Sequence, residues 1–256
     1  MREVGWQNRF HMEIPKMERG LIDQLADSET ALVCNALSAL GLSEPHTYAM
    51  DGTIACLTPD LPPMVGQAIT IKIDSCTPGG ESEMELYHEM LDRMEESGLP
   101  QVVVVQTTSG TPMRECVVGD GMAKNFVAVG GVGFVTDGGV RDLPGIIDQG
   151  FRIFAPGRVV QHGQLRWSGL GEPVEVGGVT VRTGDLIHGD EGGCIVIPEE
   201  NHPHIVEAST LVAHFEKQAH TVLRRTDISN REKRALMEEI SGAHMERIKA
   251  LMRADR

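Results

Sequence analysis

Two carboxylates and one guanidinium stand at a spacing that could do chemistry. Asp120 sits between Gly119 and Gly121. After twenty intervening residues come Arg141 and Asp142, just past an Asp137-Gly138-Gly139 turn. Carboxylate oxygens are hard ligands that suit Mg2+ or Mn2+. A guanidinium holds a planar oxyanion through two parallel hydrogen bonds. Each residue also has a plain local reading. Asp120 could be a turn residue, Asp142 a helix N-cap, and Arg141 a surface ion-pair partner. Other constellations carry less. Asp190-Glu191 reads as a hairpin turn, and His202-Pro203-His204 as a solvated loop. There is no His-Glu-x-x-His run and no Cys/His cluster for zinc. Gly131-Val132-Gly133 precedes a strand instead of following one, so it is not a dinucleotide turn. Ser109-Gly110 lacks a nucleophile-elbow context, and no Walker loop is present, which leaves no nucleotide cofactor to expect.

The elements that must position these groups can be read around them. Gly119 and Gly121 permit a tight turn. Met122 to Val129 fits one or two helical turns, whose free N–H groups would point back into that turn and favour a carboxylate or phosphate. Gly130-Gly131 ends the helix. Val132 to Thr136 is a short apolar strand, Leu143 to Gln149 a second helix closed by Gly150, and Phe151 to Ala155 another strand. Two turns flanking one helix–strand unit can face each other, and the alternation indicates an α/β fold.

The spacing Asp120, twenty residues, Arg141-Asp142 resembles the D-x20-R-D pattern of the RraA-like family. Gly119-Asp120-Gly121-Met122-Ala123 is similar to that family's glycine–acid loop, and Val135 to Asp142 to its strand and turn. Gly178 to Asp185, Gly189 to Gly193 and Val196 to Pro198 resemble its closing hairpins. The likeness covers about residues 28 to 200, preceded over 1–27 by an irregular arm (1–20) and a helix start, and followed by a helical tail over 201–256. It implies a layered α/β domain of the swivelling β/β/α type with a helical C-terminal extension.

The resemblance also implies a function, that of a divalent-metal-dependent aldolase. Such an enzyme cleaves a small anionic 4-hydroxy-2-oxo acid to pyruvate and decarboxylates oxaloacetate as a side activity. Asp142 would be the carboxylate nearest Mg2+ or Mn2+, and Asp120 would hold its waters. Arg141 would bind the keto acid and stabilise its enolate. Backbone N–H groups of Gly121, Met122 and Ala123, with Gly119 at the turn, would hold the pyruvate carboxylate. The assembly would be a homotrimer or homohexamer. A further acid would reach the site from a neighbouring subunit, for which Glu207 and Glu216 are candidates. Lys124 as a Schiff-base lysine is the competing chemistry. The competing function is a non-enzymatic regulator that binds a partner protein, since the family includes one.

The bulk properties bound these readings. The chain has 256 residues, enough for one domain with extensions. Its 37 acidic and 23 basic side chains give a net charge of -14, which argues against nucleic acid as a partner. Cys34, Cys56, Cys76, Cys116 and Cys194 are widely spaced and read as free thiols of a cytoplasmic protein. No signal peptide and no membrane-spanning run is apparent. Helices are expected over Leu21 to Ala26, over Glu29 to Leu40 with Ser28 as N-cap, and over Ser82 to Ser97. Val65 to Ile73 reads as a half-buried strand and Gln101 to Thr107 as a central one. Pro203 to Arg224 carries an apolar stripe, and Ser229 to Glu232 a capping box that opens a last helix.

Overall fold

The computed structural model describes residues 17–79 and 81–253. Most of the arm expected over residues 1–20 lies outside them. Three helices come first: α1 (Arg19–Leu25), α2 (Thr30–Leu40) and α3 (Pro45–Tyr48). Gly41 ends α2 with φ 64° and returns its N–H to Leu37 O. The start of α2 departs from expectation. Ser28 does not cap it; Asp190, 160 residues away, accepts the Thr30 N–H at 2.7 Å.

The core follows: β1 (Ala55–Cys56), β2 (Met64–Asp74), α4 (Glu85–Ser97), β3 (Gln101–Thr107), β4 (Cys116–Val118), α5 (Asp120–Ala128), β5 (Gly131–Thr136), β6 (Gly139–Val140), α6 (Leu143–Ile147), β7 (Arg152–Ala155), β8 (Gly157–Arg158) and β9 (Arg166–Ser168). Two hairpins close it, β10 (Val174–Val176) with β11 (Val179–Val181), and β12 (Leu186–Asp190) with β13 (Gly193–Ile197). Helices α7 (Ile205–Leu223) and α8 (Asn230–Arg253) end the described chain.

The main sheet runs β1-β7-β5-β3-β2-β12-β13, with β9 also on β2. Strands β2, β3, β5 and β7 are parallel, as β-branched runs such as QVVVVQT favour. The sheet is nearly closed: Met50, just before β1, donates its N–H to Cys194 O in β13. β2 is buried along almost its whole length rather than on one face. Its polar residues misled the periodicity because they are satisfied inside. Thr70 Oγ1 donates to Glu172 O at 2.8 Å and sits 2.7 Å from Thr183 Oγ1. A small parallel sheet, β4-β6-β8, lies beside the main one.

Side chains of β2 divide the core into three clusters. Met64 and Ala68 face inward with Val102, Val104 and Phe154 beneath the four valines of the β10–β11 hairpin. Ile69, Ile71 and Ile73 pack outward against α4, α5 and α6. Val65 joins Leu186, Ile195 and Ile197 under α1, α2, α7 and α8. The stripe of α7 is therefore spent inside its own chain, with Ile205, Ala208 and Val212 buried there. The capping box forms as expected: Ser229 N–H and Oγ both donate to Glu232 Oε2. Among the described residues no helix is long and apolar enough to cross a membrane, and all five cysteines are free.

Candidate functional site

The two glycine turns meet. β4 and β6 are parallel neighbours, and Arg141 donates its N–H to Val118 O at 3.1 Å. This brings the start of α5 beside the residues that follow β6. Gly119, Asp120, Gly121, Met122, Arg141 and Asp142 all line one pocket of about 290 Å³. Met84 at the N-cap of α4, Tyr87 within it, Asn125 from α5, and His162 and Leu165 from the loop before β9 add to its walls.

Gly119 leaves room for this close approach. Its backbone is extended, but a Cβ there would lie 3.0 Å from Asp142 Oδ2 and 3.2 Å from Arg141 Nε. Gly145 on α6 plays the same part for the other carboxylate: a Cβ would come 2.8 Å from Asp120 Cβ. The Pro144-Gly145 pair in α6 thus lets that helix close on α5. Asp142 occupies the N-cap position of α6 at φ 56°, the one positive-φ residue other than glycine among the described residues. Such a conformation costs on the order of 1 kcal/mol. Its side chain does not cap the helix. It turns to Arg141 instead, with Nε 3.1 Å from Oδ2.

Asp120 Oδ2 accepts from Lys124 Nζ at 2.6 Å. That contact, with the ammonium's charge, holds the Asp120 carboxyl below its ordinary range. Lys124 is half exposed and bound to a carboxylate, not set in the apolar surroundings that a Schiff-base lysine needs. One expected contact fails. The Ala123 N–H closes the first helical bond on Gly119 O, and the Ala123 side chain is buried in the core. The Met122 N–H remains at the helix start, while the Gly121 N–H lies on the Asp120 carboxylate. Sequence reasoning also missed the walls. Tyr87 is buried, stacks on Trp167 with centroids 5.5 Å apart, and accepts from Asn125 Nδ2 at 3.0 Å. Burial pushes its phenol and the Cys116 thiol above their ordinary values. No local signal marks residues on α4, some thirty positions upstream, as part of the pocket.

The donor set suits a hard divalent cation. Asp120 and Asp142 each commit one oxygen to a basic neighbour and are partly exposed, which leaves further lone pairs for a ligand. Mg2+ takes one or two carboxylates and fills its shell with water and substrate oxygens. A second acidic group, Asp74 with Cys76 and Glu115, has ligand atoms within 4.8 Å of one another. Its carboxylates are already occupied. Glu115 is fully buried and accepts from Ser75 N, Ser75 Oγ and Ser109 N. Asp74 Oδ1 accepts from the N–H groups of Cys76 and Thr77 and pairs with Arg166. This set pins loops together.

The remaining candidates lie elsewhere. Asp190 caps α2 and its own turn through Gly192 N–H. His202 Nε2 lies 3.0 Å from Ile197 O. Glu216 accepts from Asn35 Nδ2 on α2, and Glu207 lies in the first turn of α7; neither lines this chain's pocket. A larger cavity of about 630 Å³ lies between α1, the β11–β12 turn and α7, but it has neither the glycine cradle nor the paired carboxylates.

A family model described as RraA-like (Aldolase/RraA) matches residues 30–196. A Halalkalibacterium halodurans protein named "Putative 4-hydroxy-4-methyl-2-oxoglutarate aldolase" is 33% identical over 135 residues, 51% of this chain and 60% of that protein. Protein DlpA of Legionella pneumophila is 24% identical over 208 residues, 79% of this chain and 31% of DlpA. The chain thus spans less than two thirds of either relative. Among solved structures, Streptomyces coelicolor RraAS2, described as an unusual member of the RNase ES inhibitor RraA protein family, aligns with a TM-score of 0.64 at 24% identity, covering 82% of this chain and 99% of that one. It shares the fold. The family match takes in the cradle, both carboxylates and the guanidinium: this chain belongs to the RraA-like family.

Proposed function

We propose that the chain is a divalent-metal-dependent carbon–carbon lyase that cleaves a 4-hydroxy-2-oxo acid and releases pyruvate. One observation carries this. Two carboxylates and a guanidinium converge on a pocket at a helix start, with Asp142 held in a costly backbone conformation against a glycine that no larger residue could replace without displacement. Strain retained at a pocket is a mark of function. The names of several relatives agree in pointing to an aldolase.

Asp142 and Asp120 would hold Mg2+ or Mn2+, which supplies Lewis acidity toward the 2-oxo group when bound. The Met122 N–H receives the substrate carboxylate at the positive end of α5, joined by the Gly121 N–H as Asp120 turns from it to the metal. Asp120, kept ionised by Lys124, offers Oδ1 to a water that takes the C4 hydroxyl proton. The C3–C4 bond breaks, its electrons pass to the C2 oxygen, and the new carbonyl product leaves. Arg141 faces the charge that develops on that oxygen. Protonation at C3 gives pyruvate. Oxaloacetate would lose CO2 through the same enolate. The assembly that goes with this reading is a trimer or a pair of trimers, checked by light scattering.

The test is pyruvate release from 4-hydroxy-4-methyl-2-oxoglutarate and from oxaloacetate, with Mg2+ or Mn2+ and with excess chelator. Turnover should vanish in chelator and return with metal. Asp142→Asn should lose at least ~100-fold while melting at an unchanged temperature. Full activity in chelator would move the chemistry to Lys124 or another route. No metal binding and no turnover would leave a binding protein.

A further inference from the structure

The far wall of the pocket differs from its floor. The floor holds Asp120, Arg141, Asp142 and the helix start. The wall is made by Met122 from the first turn of α5, Met84 at the N-cap of α4 and Leu165 before β9, all half-buried, around the buried Tyr87 phenol. Tyr87 is fixed on three sides: stacked on Trp167, edge-on to Phe126, and bound at its oxygen by Asn125 Nδ2. The amide takes one in-plane position of the phenol oxygen, which leaves the phenol proton for the other. The described lining offers one guanidinium, Arg141, already on Asp142, and one imidazole, His162, exposed on the rim. Lys124 is bound to Asp120.

We propose that this wall selects 4-hydroxy-2-oxo acids whose C4 substituents are uncharged, with Met84, Met122 and Leu165 receiving an aliphatic group and Tyr87, oriented by Asn125, donating to a neutral oxygen. A second carboxylate placed there would lose its water without gaining a cation from this chain's described lining, on a chain already at net charge -14. The preference is opposite to the dicarboxylate in the names of the relatives. The inference rests on the proposed lyase reaction.

The matched pair is 4-hydroxy-4-methyl-2-oxoglutarate and 4-hydroxy-4-methyl-2-oxopentanoate, which differ by carboxylate against methyl at one carbon. Their affinities are measured by calorimetry with Mg2+ present, and their kcat/KM by pyruvate release. Hydrogen–deuterium exchange at the pyruvate methyl reports enolate formation without any C4 group. The methyl compound should bind and turn over at least tenfold better. Asn125→Lys, which places an ammonium at the wall, should shift the ratio at least tenfold toward the dicarboxylate. Equal or better binding of the dicarboxylate to the wild type overturns the inference, whether or not exchange is seen. A preference for the dicarboxylate that His162→Gln removes also overturns it, and assigns the second carboxylate to the rim. Methyl-selective binding without exchange or turnover would support the wall and sink the lyase.

Discussion

The molecule contains two acidic groupings of similar composition and opposite construction. Glu115 and Asp74 have donors on the oxygens that face their neighbours, Glu115 from a fully buried position. Asp120 and Asp142 each have one oxygen on a basic neighbour, keep a partly exposed carboxylate, and sit on glycine cradles, one with a costly backbone. A saturated carboxylate holds the fold together, because its loss would strand buried donors. An unsaturated one stores capacity for a ligand. The difference lies in the number of donors already spent, which composition cannot show.

The largest expected effect breaks the saturated group. Glu115→Ala leaves Ser75 N–H, Ser75 Oγ and Ser109 N–H without their acceptor. A loss of about 3 kcal/mol follows at 1–3 kcal/mol per stranded buried group, or a melting point lower by roughly 6–12 °C. Differential scanning calorimetry of this variant beside Asp142→Asn tests the contrast. If the Asp142 variant loses as much stability as the Glu115 variant, both groupings are structural.

Next comes Arg141→Lys. Lysine keeps the charge but cannot reproduce two parallel bonds from a planar fork. Loss of a preorganised donor to a developing oxyanion costs about 3 kcal/mol, or ~100-fold. It should fall on kcat, and equally for aldol cleavage and oxaloacetate decarboxylation, since both pass through one enolate. A variant with near-normal kcat would reduce Arg141 to an ion-pair partner of Asp142.

Only the Asp120 and Arg141-Asp142 half of this contrast was legible in the sequence; the Asp74–Glu115 group was not, because its residues are brought together by long-range packing. The Asp120 and Arg141-Asp142 turns could be found because glycine clusters and a short helix–strand unit are local signals. The stops of α2 and α4 were readable from Gly41 and Gly98, both at positive φ, and so was the capping box at Ser229. Strands β4, β6 and β8 were not, being two or three residues long. No periodicity fits in so short a run, and only neighbouring packing makes them strands. The burial of β2 was hidden because Gln67 and Thr70 mimic a solvent face while being fully enclosed. The capping of α2 by Asp190 and the Tyr87–Asn125 wall are long-range contacts without local signatures. The reach of Ala123 was overstated because the first helical bond uses its N–H.

A smaller change sharpens the comparison from inside the site. Gly119→Ala is allowed by the backbone, at φ -136° and ψ -177°, so the fold should survive. The added methyl meets Asp142 Oδ2 at 3.0 Å and Arg141 Nε at 3.2 Å, which is tighter than ordinary contact. The pair must shift by a few tenths of an ångström. Misplacement on that scale should cost on the order of tenfold in kcat/KM. The melting temperature should stay within about 2 °C, no more than the shift for 1 kcal/mol. A variant with full activity would show that the Arg141–Asp142 geometry is soft.

The smallest effect concerns the helical layer, where a buried group outside the site titrates. His188 on β12 is fully buried. Its Nε2 lies 3.2 Å from Leu25 O and its Nδ1 2.9 Å from Thr30 Oγ1. The carbonyl can only accept, so Nε2 carries the proton and Nδ1 accepts from the threonine hydroxyl. A neutral imidazole thereby ties α1 and α2 to the sheet. Burial pushes its pKa below the ordinary value, against weaker opposing pulls from Leu25 and Asp190. The folded chain therefore binds this proton less readily than the unfolded chain. Stability is full above about pH 6.5, falls as pH drops below it, and stops falling from this source once pH passes the lowered folded value. The buried carboxyls of Asp137 and Asp185 are pushed up by burial, so they act with the opposite sign and at lower pH. The measurement is the melting temperature between pH 7.5 and 5 for the wild type and for His188→Gln. The variant should melt lower at pH 7.5, where the histidine's bonds are intact, and the gap should narrow toward pH 5 as the wild type loses stability through this proton. Parallel curves would mean that His188 stays neutral across the range or that water reaches its ring.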